Sequence, residues 1–161
     1  MITSNPAELK QVLAKGRRLL GLDIGSKTIG LALSDTGLAI ASPYQTIRRS
    51  KFTKDAGILL QVIEKQGVGG LVLGLPVNMD GTEGPRCQSV RQFAANLDGK
   101  LPGVPMLFWD ERLSTAAVQR MLTDEVDASR QRRAELVDKL AAAYILQGAL
   151  DNLRRLPAAA S

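Results

Sequence analysis

Apolar residues in this chain fall into short dense runs separated by stretches of helical periodicity. Leu19-Leu20-Gly21-Leu22-Asp23-Ile24 lacks the apolar–polar alternation of a half-exposed strand, which predicts burial on both faces. Gly25, Ser26 and Lys27 then turn the chain into a second strand, Ile29–Ser34. Asp35-Thr36-Gly37 reads as a hairpin turn into a third strand, Leu38–Thr46, with Asp35 in a turn role. Ile58, Leu59, Val62 and Ile63 recur at helical spacing over residues 54–66, and Gly67 stops that helix. Gly70–Leu75 is a fully apolar strand followed by the loop Pro76–Gly81. Thr82 reads as the N-cap of a helix to about Leu97, with Pro85 in its first turn, where a missing amide hydrogen costs little. Val104–Trp109 is a fifth strand. Ser114 or Thr115 caps a helix to about Leu122, residues 123–130 form a polar loop, and a long helix runs from about Gln131 to Leu153.

Two hairpin-linked antiparallel pairings come first, and the later strands are joined through helices, which requires parallel crossovers. The predicted fold is α/β, a mixed five-stranded sheet whose first three strands are antiparallel, with helices on both faces. Residues 1–17, with a short weak helix Pro6–Lys15, read as an N-terminal helical appendage. Residues 18–153 read as one domain, and 154–161 as a flexible tail beginning before Pro157. A length of 161 residues suits one such domain.

Composition narrows the chemistry. No apolar run reaches membrane-spanning length, and Glu8 and Lys10 stand where a signal peptide would carry its apolar core, so a cytoplasmic location is expected. The single cysteine, Cys87, fits a reducing compartment. A formal charge of +5 favours a polyanionic partner, while only 4% aromatic residues argues against a broad base-stacking platform. There is no histidine, which removes Ser-His and Cys-His nucleophile systems and imidazole metal sites, and one cysteine removes a thiolate zinc cluster. Hydrolysis by this chain must rest on carboxylates, most simply with hard divalent cations.

Three carboxylates can meet. Asp23 ends the first predicted strand, and Asp110-Glu111 end the fifth, at the sheet edge where ligands of open α/β sheets bind. If the strand persists, Asp110 and Glu111 point to opposite faces, so one faces Asp23 and the other caps the next helix or pairs with Arg112. On the last helix Asp138 shares a face with Ala134, Ala141, Ala142, Ile145 and Ala149. An ionised aspartate on that small apolar face needs a cation or a donor, or a salt bridge to Arg133 or Lys139. Asp23, Glu111 and Asp138 are therefore the candidate ligands of one or two Mg²⁺ or Mn²⁺ ions, with Asp110 as the alternative. Two such ions about 3.5–4 Å apart can serve the attacking and leaving oxygens of a phosphodiester without histidine.

The segments Gly21–Gly30, Gly74–Thr82 and Asp110–Thr115, with Asp138 followed by Ala141-Ala142-Ala143 and Ile145-Leu146, resemble the YqgF/RuvX family over roughly residues 18–153. The resemblance implies an RNase H-like nuclease domain, shared with RuvC-type resolvases. It also implies a metal-dependent endonuclease of structured nucleic acid, acting in pre-16S rRNA 5′-end processing or Holliday junction resolution. By the same resemblance Asp23 matches the first catalytic acid, Glu111 the second and Asp138 the last. RuvC-type relatives carry the second acid on the preceding strand, which here ends in Gly74-Leu75-Pro76 without one, so Asp110 and Glu111 both stay open. Lys27, Asn78, Arg112 and Arg86 are candidate substrate contacts, and amides near Thr82 a candidate phosphate site. Arg91, Arg130, Arg132 and Arg133 extend a possible polyanion track, although charge runs are more often solvated faces. Junction cutting would call for a homodimer, since two nicks must straddle a two-fold centre. The competing expectation is a non-catalytic nucleic-acid-binding factor in ribosome assembly or transcription. A nucleotide-binding fold of the actin and sugar-kinase kind would need a second domain for which the chain has no room.

Overall fold

The run bearing Asp23 forms a central strand of a six-stranded sheet in the computed structural model, which describes residues 1–113 and 130–157. In chain order the elements are β1 (Ile2–Thr3), α1 (Pro6–Val12), β2 (Arg18–Ile24), β3 (Thr28–Ser34), β4 (Ala41–Arg48), α2 (Phe52–Gln66), β5 (Val68–Leu75), α3 (Pro85–Lys100), β6 (Met106–Asp110), a 3₁₀ turn (Glu111–Leu113) and α4 (Arg130–Arg155). The strand order is β1-β6-β5-β2-β3-β4. The pairs β2–β3 and β3–β4 are antiparallel, and β2–β5, β5–β6 and β1–β6 are parallel. This is the expected mixed α/β sheet with one strand more than the five predicted. Ile2–Thr3 adds to the edge beside Met106 and Leu107, and two residues are too few to leave a readable period.

The N-terminal segment is fastened to the sheet at further points. Asn5 caps α1 by accepting from the Ala7 amide, and Pro6 occupies the first turn. Leu9 is fully buried among side chains of α4, and the Lys10 ammonium donates to the carbonyls of Leu153 and Leu156, each at 2.8 Å.

Alternation along the strands sends successive side chains to two cores. Leu20, Leu22, Ile24, Leu71, Leu73 and Phe108 meet α2 and α3 on one face. Leu19, Val72 and Leu107 meet α1 and α4 on the other. The α4 side is lined by glycine at three places. A Cβ on Gly21 would stand 2.8 Å from Leu146 Cβ, one on Gly30 would collide with the Asp138 carbonyl, and one on Gly74 would stand 2.5 Å from Ile145 Cδ1. These absences of side chain let α4 lie close on the sheet and bring Asp138 to the level of Asp23.

Several boundaries differ from expectation, α1 ending at Val12 and β5 beginning at Val68 among them, and two of the differences have a visible cause. The third strand starts at Ala41, not Leu38, because Asp35 Oδ1 accepts from the amides of Ala39 and Ile40 and holds 35–40 as a turn, with Leu38 at φ 57°. Helix α3 is capped by Gly84, not Thr82, whose hydroxyl is instead engaged within the preceding loop. The helix expected from Ser114 or Thr115 to Leu122 and the loop over 123–129 lie outside the described residues.

Candidate active site

Asp23 is the residue on which the site is built. Its strand neighbours Leu22 and Ile24 face the α2–α3 core, so Asp23 itself points to the α4 side. It pairs with Gly30 across the β2–β3 ladder, and Gly30 is where the backbone of Asp138 comes closest. The same alternation resolves the two acids after β6. Phe108 faces the α2–α3 core, Asp110 follows that parity, and Glu111 turns to the α4 side in the 3₁₀ turn.

Glu111 reaches across Gly74, where an added Cβ would lie 2.6 Å from Glu111 Oε1. The glycine at the end of β5 thus leaves the space that a carboxylate from the next element fills. Glu111 and Asp23 share a hydrogen bond. Burial pushes the Glu111 carboxyl up to about 8, and the charge of Asp23 and that hydrogen bond push the same way. Asp23 is also raised, first by burial, with the charge of Asp138 adding to it; the Glu111 hydrogen bond and the Arg86 charge oppose the rise. At neutral pH Glu111 therefore keeps its proton and donates it to Asp23.

Asp138 is held separately. The Thr28 hydroxyl donates to its Oδ2 at 2.6 Å, tying the third acid to the start of β3. Among the described residues no three acidic or thiol side chains are already drawn into a ligand cage. What exists is a protonated pair with a third carboxylate near enough to act on Asp23 electrostatically. Such a donor set fits a hard divalent cation: it is all oxygen, and a cation can replace the shared proton.

The remaining candidates divide into groups. Asp110 faces away from the pair and is locked to Arg112, whose amide donates to Oδ1 at 2.9 Å and whose Nη2 donates to Oδ2 at 2.6 Å. Arg112 holds the Asp110 carboxyl below its usual range. Arg86 is exposed at the start of α3, and its charge bears on both Asp23 and Glu111. Lys27 is exposed in the turn after Asp23. Asn78 Nδ2 donates to Thr82 Oγ1 at 3.0 Å, so these two stabilise one exposed loop. Arg91 makes a bidentate pair with Glu83 and lies 4.9 Å over the Phe108 ring, which occupies it structurally. The side chains of Arg130, Arg132 and Arg133 lie outside the described residues.

Two residues of the site's frame escaped the sequence reading. Thr28 sits inside a segment already singled out, yet a threonine in a turn gives no sign of a partner 110 positions away. Arg49 donates from Nη1 to the Gly25 carbonyl at 2.7 Å, stacks 5.4 Å over Phe93, and its amide donates to the Lys27 carbonyl at 2.8 Å. It clamps the turn that follows Asp23, and no local motif announces that clamp.

Comparison with known proteins gives concordant results. The family model described as RuvX, Holliday junction resolvase, matches residues 17–152. A protein of Paramagnetospirillum magneticum named "Putative pre-16S rRNA nuclease" is 69% identical over 147 residues, covering 91% of this chain and 94% of its own. A protein of the same name from Roseobacter denitrificans is 56% identical over 155 residues, covering 96% and 94%. Among solved structures, T. thermophilus RuvC in complex with a Holliday junction substrate aligns with a TM-score of 0.52 at 13% identity, covering 84% of this chain and 95% of that one. The Fowlpox virus resolvase in complex with Holliday junction DNA aligns with a TM-score of 0.52 at 10% identity, covering 84% and 98%. At such identities the two structures speak to fold alone, and the fold they share with this chain is the RNase H-like one.

Proposed function

We propose, for a chain that belongs to the RuvX family, that it is a metal-dependent endonuclease of structured nucleic acid. The observation that carries this reading is the convergence of Asp23, Glu111 and Asp138 at the carboxyl edge of the sheet, with Glu111 reaching over Gly74 to hydrogen-bond Asp23 and Asp138 brought alongside at Gly30. Two half-buried carboxylates this close cannot both ionise unless a cation takes the place of the proton between them. Asp23, Glu111 and Asp138 would hold Mg²⁺ or Mn²⁺, and the bound ion would supply an activated water and charge neutralisation at the phosphate.

The chain's own residues prepare that chemistry. Thr28 fixes the Asp138 carboxylate, Gly74 leaves Glu111 room to reach Asp23, and Arg49 holds the intervening turn. Arg86 and Lys27 offer positive charge to a phosphate backbone near the acids, where three carboxylates would otherwise repel it. Asp110 serves as the anchor of Arg112, not as a ligand.

The relatives' name points to pre-16S rRNA and the family's description to four-way junctions. Either substrate would place the protein's work in the cytoplasm; among the described residues no helix is long and apolar enough to cross a membrane. On a junction the active form would be a homodimer. The test is incubation of wild type with a precursor-rRNA fragment and a four-way DNA junction, each in Mg²⁺, Mn²⁺ or EDTA. Cutting of one substrate in either metal and none in EDTA is the expected result. Binding of both with no cutting under any condition would replace the nuclease by a non-catalytic assembly factor.

A further inference from the structure

Met79 is 88% exposed, more than any other large hydrophobic side chain among the described residues. A single exposed apolar side chain ordinarily calls for no explanation. Its mounting makes this one different. The Gly81 amide donates to the Asn78 carbonyl at 2.8 Å, closing a tight turn with Met79 and Asp80 at its tip. The Asn78 amide donates to the Thr82 carbonyl at 2.9 Å, and Asn78 Nδ2 donates to the Thr82 hydroxyl at 3.0 Å. Asp80 Oδ1 accepts from the Thr82 hydroxyl at 2.6 Å and from its amide at 3.0 Å. Gly81, at φ 89°, makes the return possible. The loop's polar groups thus bind one another and hold the tip in shape, leaving the Met79 thioether projecting without apolar cover.

The loop also stands in the right place. It begins immediately after Leu75, which pairs with Asp110, while Glu111 rests on Gly74. Arg112, anchored on Asp110, bears electrostatically on Asp80 at the loop's tip. A hydrogen-bonded loop therefore carries an apolar tip at the same sheet edge as the acids, with Arg112 beside it. Proteins that insert Met, Leu or Phe between base steps unstack them and kink the strand, and the cost is least where stacking is already interrupted.

We propose that Met79 is a wedge that inserts between bases at the cleaved step and selects branched or locally unpaired nucleic acid over continuous duplex. This rests on the nuclease reading for the substrate but not on cleavage itself. The test uses 2-aminopurine placed beside the crossover of a four-way DNA junction, beside the mature 5′ end of a precursor-rRNA fragment, and at the same sequence in a continuous duplex. Binding is followed on an Asp23→Asn background in Mg²⁺, so that strand scission does not enter the signal.

Fluorescence is expected to rise at least about twofold on a branched or partly unpaired probe, and to stay flat on the duplex, as unstacking relieves quenching. Met79→Ala should lose most of the rise while weakening binding by no more than about tenfold, and Met79→Leu should retain it. A bound probe with no rise, or an equal rise with Met79→Ala, would overturn the wedge and leave the nuclease untouched. Unstacking on this background, together with no cutting of any probe by wild type in Mg²⁺ or Mn²⁺, would leave the wedge standing and remove the nuclease. Binding to none of the probes would remove both.

Discussion

Asp110 and Glu111 are adjacent, chemically alike and both half-buried, yet one is paired with Arg112 and the other lies against Asp23. Period-2 alternation shows that the two must diverge, but which one faces Asp23 depends on the strand's register and on where it gives way to the 3₁₀ turn. Gly74 is the physical reason Glu111 fits, and that relation crosses two elements. The shared proton has a consequence for stability. Glu111 ionises near 4.5 ordinarily and near 8 when folded, so between those values the folded chain retains a proton that the unfolded chain releases. This contribution is complete below 4.5 and is lost as pH rises through about 8. Glu111→Gln removes the loss. In EDTA its melting temperature should gain on wild type by several degrees between about pH 5 and about pH 8.5, each kcal/mol being about 2–4 °C for a chain of this size. An unchanged difference across that range would mean the pair does not share a proton. Thr28→Val should lower the cleavage rate by about 10–100-fold and raise the Mn²⁺ concentration needed, as loss of a ligand's supporting partner does, with Thr28→Ser near wild type. Initial rates against Mn²⁺ concentration read this directly.

At the scale of elements, dense apolar runs and helical spacing in the sequence identified strands β2, β3, β5 and β6 and helices α2 and the C-terminal α4. The signal was strong because these segments are buried on both faces or have one apolar stripe. It failed where structure is held by contacts remote in sequence. Ile2–Thr3 becomes a strand only because β6 offers an edge, and α3 begins after Thr82 because Asp80 and Asn78 bind that hydroxyl. Glycines show the same division. Gly30 looks like any strand glycine, but α4 presses on it through the Asp138 carbonyl, whereas nothing lies within 4 Å of a Cβ built on Gly57 in α2. Gly30→Ala should therefore destabilise by about 3 kcal/mol or more, since the obstacle is backbone. Gly57→Ala should stabilise by about 0.5–1 kcal/mol through helix propensity. Urea midpoints of the two variants give both signs in one experiment.

For the molecule as a whole, the +5 charge suggests a polyanion, and the absence of histidine directs the chemistry to carboxylates. Neither feature locates the binding surface. Arg91 is occupied by Glu83 and Phe108, while Lys27 and Arg86 remain exposed beside the acids. Replacing Lys27 or Arg86 by Ala should weaken nucleic-acid binding and reduce the slope of log affinity against log salt by about one for each phosphate no longer neutralised. Filter binding across a salt series measures that slope. We propose that the proton held between Asp23 and Glu111 is displaced when a divalent cation binds. Calorimetric titration with Mn²⁺ near pH 7, repeated in buffers of different ionisation enthalpy, counts the protons released. About one proton per chain is expected for wild type, and weaker binding with almost none released for Glu111→Gln. Mn²⁺ binding that releases no proton, or that is unaffected by both Glu111→Gln and Asp23→Asn, would contradict it.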